Sequence, residues 1–360
     1  MNSAPLNILN PIIASIKPID PQSIVAAQHQ LDHLTKPIGS LGQLESIAAQ
    51  IVAIAAGDLR LPMKRGAYVF AADHGVTDEG VSAYPRQVTA QMVYNFLEGG
   101  AAINVLARLH NAELTVVDVG VDAEFIEAPG LRRAKVRNGS RNMHREPAMT
   151  DDELAVALAV GIDLALESNA KGEFLLAVGE MGIGNTTAAS AIAVMLTKQP
   201  SASVTGMGTG LDSAGKIHKQ TIIDESIQMH FGGRVPDTSP MNILRAVGGL
   251  EIAAMTGFIL AAAAHRQAVV CDGFISTAAA ALAFAMAPHV RGYLLAGHCS
   301  EEPGHRHLLR FIGLSPILGL DMRLGEGTGA VLAMPIIESA LRLFTEMATF
   351  SSAAVSTANK

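Results

Sequence analysis

Near its carboxyl end the chain reads Leu324-Gly325-Glu326-Gly327-Thr328-Gly329. A carboxylate set between glycines has no bulky neighbours, so a small molecule can reach it. Partly dry surroundings raise a carboxyl pKa towards the general-base range, whereas the N-terminus of a following helix lowers it. Glu326 therefore reads either as a general base or as a helix-capping residue. A second stretch, Gly179-Glu180-Met181-Gly182-Ile183-Gly184-Asn185-Thr186-Thr187, opens directly into a helical pattern. Its glycines let the backbone approach a ligand closely. Asn185 or Thr186 would cap the helix, whose free N–H groups favour an anion. The stretch is neither a Walker loop nor a dinucleotide fingerprint, and an ordinary tight turn is the competing reading. A further cluster, Gly206-Met207-Gly208-Thr209-Gly210, precedes a helix carrying Lys216 and Lys219. Two glycine loops with an ammonium nearby suit a phosphate monoester.

Three more clusters hold polar residues of chemical interest. Asp73 and His74 follow an apolar run, but metal ligation takes three or four convergent groups, so they read as walls of a pocket. Cys271-Asp272-Gly273 ends another run. Cys271 reads as an inert core thiol, and Asp272 as a hydrogen-bonding partner of either a ribose or another loop. The stretch 297–307 contains His298, His305 and His307. Residues two apart on a helix face apart, so this reads as a polar loop at the site and not as a metal centre.

These clusters fall where strands should end. Short apolar runs at 67–72, 114–119, 174–178, 268–271 and 293–296 alternate with helical patterns at 151–168, 187–198, 240–264 and 276–287. Strands too apolar to face water on either side indicate a parallel sheet covered by helices on both faces, with ligands at the carboxyl ends of its strands. Residues 22–56 show helical spacing alone, broken at 36–42. The expected fold is therefore α/β. Residues 1–65 form a small helical region, joined by residues of the C-terminal helix, and residues 66–350 form the catalytic domain.

The chain has 360 residues, 49% of them hydrophobic and 16% charged, with a formal net charge of −7. No basic stripe or block of like charges occurs, so nucleic acid and anionic membranes are unexpected partners. The longest apolar stretch, 252–264, falls short of the roughly 20 residues of a bilayer span. Two cysteines cannot make a disulfide framework, and a cytoplasmic setting fits best.

The set Lys36-Pro-Ile-Gly-Ser-Leu-Gly-Gln-Leu-Glu45, Ala72-Asp-His-Gly-Val76, Gly179 to Thr187, Asp272-Gly-Phe-Ile275 and Arg323 to Gly329 resembles the nicotinate-nucleotide–dimethylbenzimidazole phosphoribosyltransferase family. The motifs run in the expected order from residue 36 to residue 329. The resemblance implies a homodimer with a Rossmann-like domain and a small helical domain. It implies transfer of phosphoribose from nicotinate mononucleotide to 5,6-dimethylbenzimidazole in cobalamin nucleotide-loop assembly, with no metal or redox cofactor. By the same matching Glu326 is the catalytic carboxylate and Glu180 a second acidic residue. Gly182, Gly208 and Lys219 hold the phosphate, with Asn185 and Thr186 in the same loop. Asp272, Gly273 and Ser300 lie along the nucleotide's other side. Tyr84, Met92 and Leu324 form the benzimidazole pocket. Two other classes fit part of the pattern. A non-catalytic nucleotide-binding protein would have no need of Glu326, and a nicotinamide-dependent oxidoreductase lacks its fingerprint here.

Overall fold

The computed structural model describes residues 4–208, 210–233 and 238–356. In chain order the elements are α1 (Ala4–Ser15), α2 (Pro21–Asp32), α3 (Gln43–Ala55), β1 (Arg65–Ala72), α4 (Val88–Glu98), α5 (Ala102–Leu109), β2 (Ala112–Gly120) and β3 (Leu131–Arg133). They continue with α6 (Asp151–Ala170), β4 (Leu175–Met181), α7 (Asn185–Thr197), α8 (Ser201–Val204), α9 (Ser213–Phe231), α10 (Pro240–Val247) and α11 (Leu250–Ala264). The last third holds β5 (Ala268–Cys271), α12 (Phe274–Met286), β6 (Leu294–His298), α13 (Pro303–Ile312), β7 (Pro316–Leu318) and α14 (Thr328–Glu346).

The seven strands form one sheet in the order β3-β2-β1-β4-β5-β6-β7, and every pairing is parallel. The five apolar runs seen in the sequence are its five inner strands. The side chains of β1, β4, β5 and β6 are almost all buried, as are those of the carboxyl half of β2, as a sheet covered on both faces requires. The two edge strands carry no such run. β3 is Leu-Arg-Arg and β7 is Pro-Ile-Leu, three residues each. Charge, proline and brevity are how sheet edges resist further pairing, and they also hide an edge from a search for apolar runs. Strand order reverses between β1 and β4, which makes the carboxyl ends of these two strands the switch point where such sheets bind ligands.

Helix packing explains the abundance of small residues. A side chain at Gly161 of α6 would overlap the Ala254 carbonyl of α11, and one at Gly257 of α11 would overlap the Leu158 carbonyl of α6. The two helices meet backbone to backbone, which only glycine allows. The helix expected over 240–264 is instead two helices. Gly248 takes an extended conformation and a side chain there would overlap the Leu244 carbonyl, so the chain turns before α11 begins. Helix α6 starts with a reciprocal cap: Glu153 N–H donates to Thr150 Oγ1 at 3.2 Å and Thr150 N–H to Glu153 Oε2 at 2.8 Å.

Helix α3 packs on α2 and on α14, α1 packs on α6 and α11, and Lys36 reaches Glu45 in a buried ion pair of 2.8 Å. Among the described residues α14 is long and apolar enough to cross a bilayer by length and composition, yet 56% of that window is buried inside the protein. It packs on β4, β5 and β6 as a core helix, and its N-terminus delivers Glu326 to the sheet.

Candidate active site

The glycine loop before α14 lies across the ends of β4 and β6. A side chain at Gly179 of β4 would overlap the Gly327 amide, and one at Gly297 of β6 would press on the backbone of Gly329 and Ala330. Both strands lack side chains where the loop rests. Gly325, Glu326 and Gly327 have φ of +87°, +65° and +87°, so Glu326 is a non-glycine residue in the left-handed region. Such a conformation costs of order 1–3 kcal/mol and persists only where surroundings enforce it.

Asp272 does the enforcing. Its Oδ2 accepts the Gly327 N–H at 2.9 Å, and its Oδ1 accepts those of Gly329 at 2.6 Å and Ala330 at 3.1 Å. The carboxylate therefore closes the N-terminus of α14 and pins the loop holding Glu326. The loop is thus one of the two partners open to Asp272 from sequence. Burial raises the Asp272 pKa, against His298 and those three amides; His298 Nε2 stands 3.6 Å from Oδ1.

Glu326 is 5% exposed, and its Oε2 is buried without a hydrogen-bond partner. Burial lifts its pKa to about 7, Asp272 adds to that, and the Ile103 N–H in the first turn of α5 pulls the other way. The capping alternative is excluded, because Gly327 occupies the N-cap of α14 and Asp272 supplies the capping bonds. Glu180 ends β4 beside this loop. A side chain at Gly325 would stand 2.6 Å from Glu180 Oε1. Burial pushes the Glu180 pKa to about 8, helped by the charges of Glu251, Asp272 and Glu326 and opposed by a hydrogen bond from Asn185.

The sequence puts Asn185 or Thr186 at the N-cap of α7. The structure puts Gly184 there, at φ +95° and with no side-chain cap. That correction frees both side chains for other partners. Asn185 Nδ2 donates to Glu180 Oε2. Thr186 Oγ1 accepts from Lys219 Nζ at 2.7 Å. Lys219 is fully buried, and desolvation pushes its pKa down to about 8 against the field of Glu302. Among the described residues no carboxylate pairs with it within 4.0 Å. A buried ammonium with one neutral partner is costly unless an anion joins it. Gly208 adjoins this group: a side chain there would meet Thr186 Oγ1 at 3.1 Å and Lys219 Nζ at 3.4 Å.

Gly182 has a packing reason of its own, since a side chain would overlap the Ala72 carbonyl at the end of β1. Gly273 sits beside His298 and Ser300. The Ser300 N–H donates to His305 Nδ1 at 2.9 Å, and His305 Nε2 meets Thr277 Oγ1 at 2.9 Å. Burial drives the His305 pKa down to about 3. His305 thus ties this loop to α12, and among the described residues no cluster is arranged as a metal site. Tyr84 and Leu324 are about half exposed, at 52% and 56%, and Met92 is partly buried against the core. Leu324 stands two residues before Glu326, and Tyr84 lies on the loop after β1.

Two buried carboxylates that contact these loops, Glu251 and Glu302, carry no local mark in the sequence. Glu251 Oε1 meets His74 Nε2 at 2.6 Å, both side chains being buried. Glu302 Oε1 accepts the Gly208 N–H at 3.0 Å. Asp73 is buried, its Oδ2 accepting the Asp122 N–H at 2.8 Å. A cavity of about 500 Å³ opens at the opposite, amino ends of β1, β4 and β5, between Lys64, Glu173 and Gln267, remote from the glycine loops.

A family model described as a phosphoribosyltransferase matches residues 16–355. The nicotinate-nucleotide–dimethylbenzimidazole phosphoribosyltransferase of Geobacter sulfurreducens is 50% identical over 351 residues, covering 97% of this chain and 99% of that protein. Its counterpart from Chlorobaculum parvum is 49% identical over 97% of this chain and 98% of its own length. The crystal structure of CobT from Thermus thermophilus superposes with a TM-score of 0.88 at 45% identity, over 94% of this chain and all of that one.

Proposed function

Because the chain belongs to the nicotinate-nucleotide–dimethylbenzimidazole phosphoribosyltransferase family, we propose that the strand-end site described above carries that reaction with Glu326 as its base. The protein is a transferase that moves phosphoribose from nicotinate mononucleotide to 5,6-dimethylbenzimidazole in cobalamin synthesis. A benzimidazole ring nitrogen is a poor nucleophile while its partner nitrogen keeps a proton. A carboxylate that accepts this proton leaves the first nitrogen electron-rich enough to attack the anomeric carbon. Nicotinate departs readily because its ring nitrogen is a cationic pyridinium in the substrate. Attack from the face opposite the leaving group inverts the anomeric carbon from β to α and gives α-ribazole 5′-phosphate.

The observation that carries this reading is the strained, buried Glu326 with its unpartnered Oε2. Its pKa of about 7 lies where a general base works best. Glu180, at about 8, keeps its proton at neutral pH and leaves Glu326 as the group able to take one. Lys219, Thr186 and the amides of the Gly182 and Gly208 loops receive the phosphate. Gly273 and Ser300 lie beside the ribose, and Asp272 serves by holding the loop. Tyr84, Met92 and Leu324 receive the flat base. On this reading residues 66–350 carry catalysis, and α3 of the helical region 1–65 braces α14 from behind. By the same resemblance the enzyme is a cytoplasmic homodimer, and the free thiols of Cys271 and Cys299 fit a reducing compartment.

The test is to incubate the protein with nicotinate mononucleotide and dimethylbenzimidazole. Mass spectrometry should find α-ribazole 5′-phosphate and nicotinate in equal amounts, and NMR should show the α anomer. Nicotinate release without the ribazole, or a β product, would overturn the mechanism.

A further inference from the structure

Glu302 is the N-cap residue of α13, yet its side chain makes no capping bond there. It turns instead into the glycine loop, 8% exposed, with Oε1 on the Gly208 N–H at 3.0 Å and Oε2 buried without a partner. Gly206 makes room for it, since a side chain there would overlap Oε2. Lys219 feels its charge, and that field opposes the desolvation of the ammonium. On the opposite side Arg323 Nη1 approaches the Gly208 carbonyl at 3.4 Å. The donors that suit a phosphate are thus already facing an anion, and that anion belongs to the protein.

A dianionic phosphate on Lys219 and the Gly208 N–H cannot share that amide with a carboxylate, since one amide proton serves one anion and like charges repel. We propose that Glu302 stands in the phosphate cradle of the free enzyme as an internal anion and leaves the Gly208 N–H when the substrate's phosphate arrives. The exchange keeps the Gly208 amide bonded, and keeps a negative charge in the field of the buried ammonium, in both states. It also sets a cost on phosphate binding that the rest of the nucleotide must offset, which disfavours free phosphate in the site. The N-terminal turn of α13, which lacks a side-chain cap, can receive the displaced carboxylate.

This inference rests on the reading of Lys219 and Gly208 as the phosphate site, and the experiment separates the two. Inorganic phosphate is titrated calorimetrically into the full-length wild type, Glu302→Gln and Lys219→Ala. A glutamine keeps the shape but holds the amide through a neutral hydrogen bond, so Glu302→Gln should bind phosphate about tenfold tighter. Unchanged or weaker binding in Glu302→Gln overturns the proposal and makes Glu302 a loop brace. Lys219→Ala should lose phosphate binding, and unchanged affinity there removes the site itself whatever Glu302→Gln does. A crystal of the wild type grown with phosphate gives a readout that needs no variant. Glu302 off the Gly208 N–H supports the exchange, and Glu302 still on it beside a phosphate at Lys219 refutes it.

Discussion

Replacing Asp272 by asparagine separates positioning from binding at this site. In the folded protein Asp272 accepts three backbone N–H groups, two on Oδ1 and one on Oδ2. Asparagine keeps one oxygen for Gly329 and Ala330 but turns an amide N–H₂ towards the Gly327 N–H. The Gly327 bond is lost and the other two lose their charge assistance. At about 1.5–3 kcal/mol for a hydrogen bond to a charged group, the gross loss is about 3–5 kcal/mol. Part of it is returned, because a neutral amide escapes the burial penalty that raises the Asp272 pKa. A net loss of about 2–4 kcal/mol remains. Unfolding entropy of about 2.1 cal/mol/K per residue makes 1 °C worth about 0.8 kcal/mol in a chain of this length, so Tm should fall by about 3–5 °C. The consequence for catalysis is larger. The Gly325–Gly327 loop, no longer pinned, relaxes out of its left-handed run and carries Glu326 away from the reacting atoms. Calorimetry together with steady-state kinetics should show kcat lowered at least about tenfold, with the KM for nicotinate mononucleotide changed less than about twofold. An unchanged Tm with a raised KM and normal kcat would refute the clasp and make Asp272 a nucleotide ligand.

Glu180→Gln should stabilise the protein in alkaline conditions. The folded protein holds the Glu180 proton up to about pH 8 while the unfolded chain releases it near 4.5, so stability falls as pH rises through that window. At about 1.4 kcal/mol per pH unit the gain of the variant is capped at about 5 kcal/mol; thermal melts should show the gap opening above pH 5 and levelling above pH 8, and a pH-independent gap would contradict the burial argument. Gly179→Ala drives a methyl group into the Gly327 amide. It should cost about 1–3 kcal/mol in denaturant titration and lower kcat with little change in mononucleotide affinity; normal turnover would show that the loop need not rest on β4.

The inner sheet is legible in the sequence because parallel strands buried on both faces leave apolar runs; β1, β4, β5 and β6 do, and β2 does despite Thr115 and Asp118. The glycine clusters are legible for a related reason: backbone meets backbone or ligand there, and the residues left without side chains stand out in the chain. What stays hidden depends on partners distant in sequence. Glu302 meets Gly208 across 94 residues and His74 meets Glu251 across 177, and nothing local marks Glu302 or Glu251 as buried. The α7 cap escapes a sequence reading because Gly184, with its φ of +95°, can end the turn without a side-chain bond. The helical pattern over 240–264 runs through Gly248-Gly249 because its apolar spacing continues on both sides of the break.

The role of Glu326 as the base is open to direct test. Product formation from nicotinate mononucleotide and dimethylbenzimidazole should be followed in wild type and Glu326→Gln between pH 5 and pH 9, with mononucleotide binding measured alongside. A base must be ionised to act, so the wild-type kcat/KM should rise through about pH 7. Glu326→Gln should bind the mononucleotide normally, lose about 10²–10⁴-fold in turnover and lose that pH limb. Turnover within a few fold of wild type, with the limb intact, would contradict the assignment of Glu326 as the base.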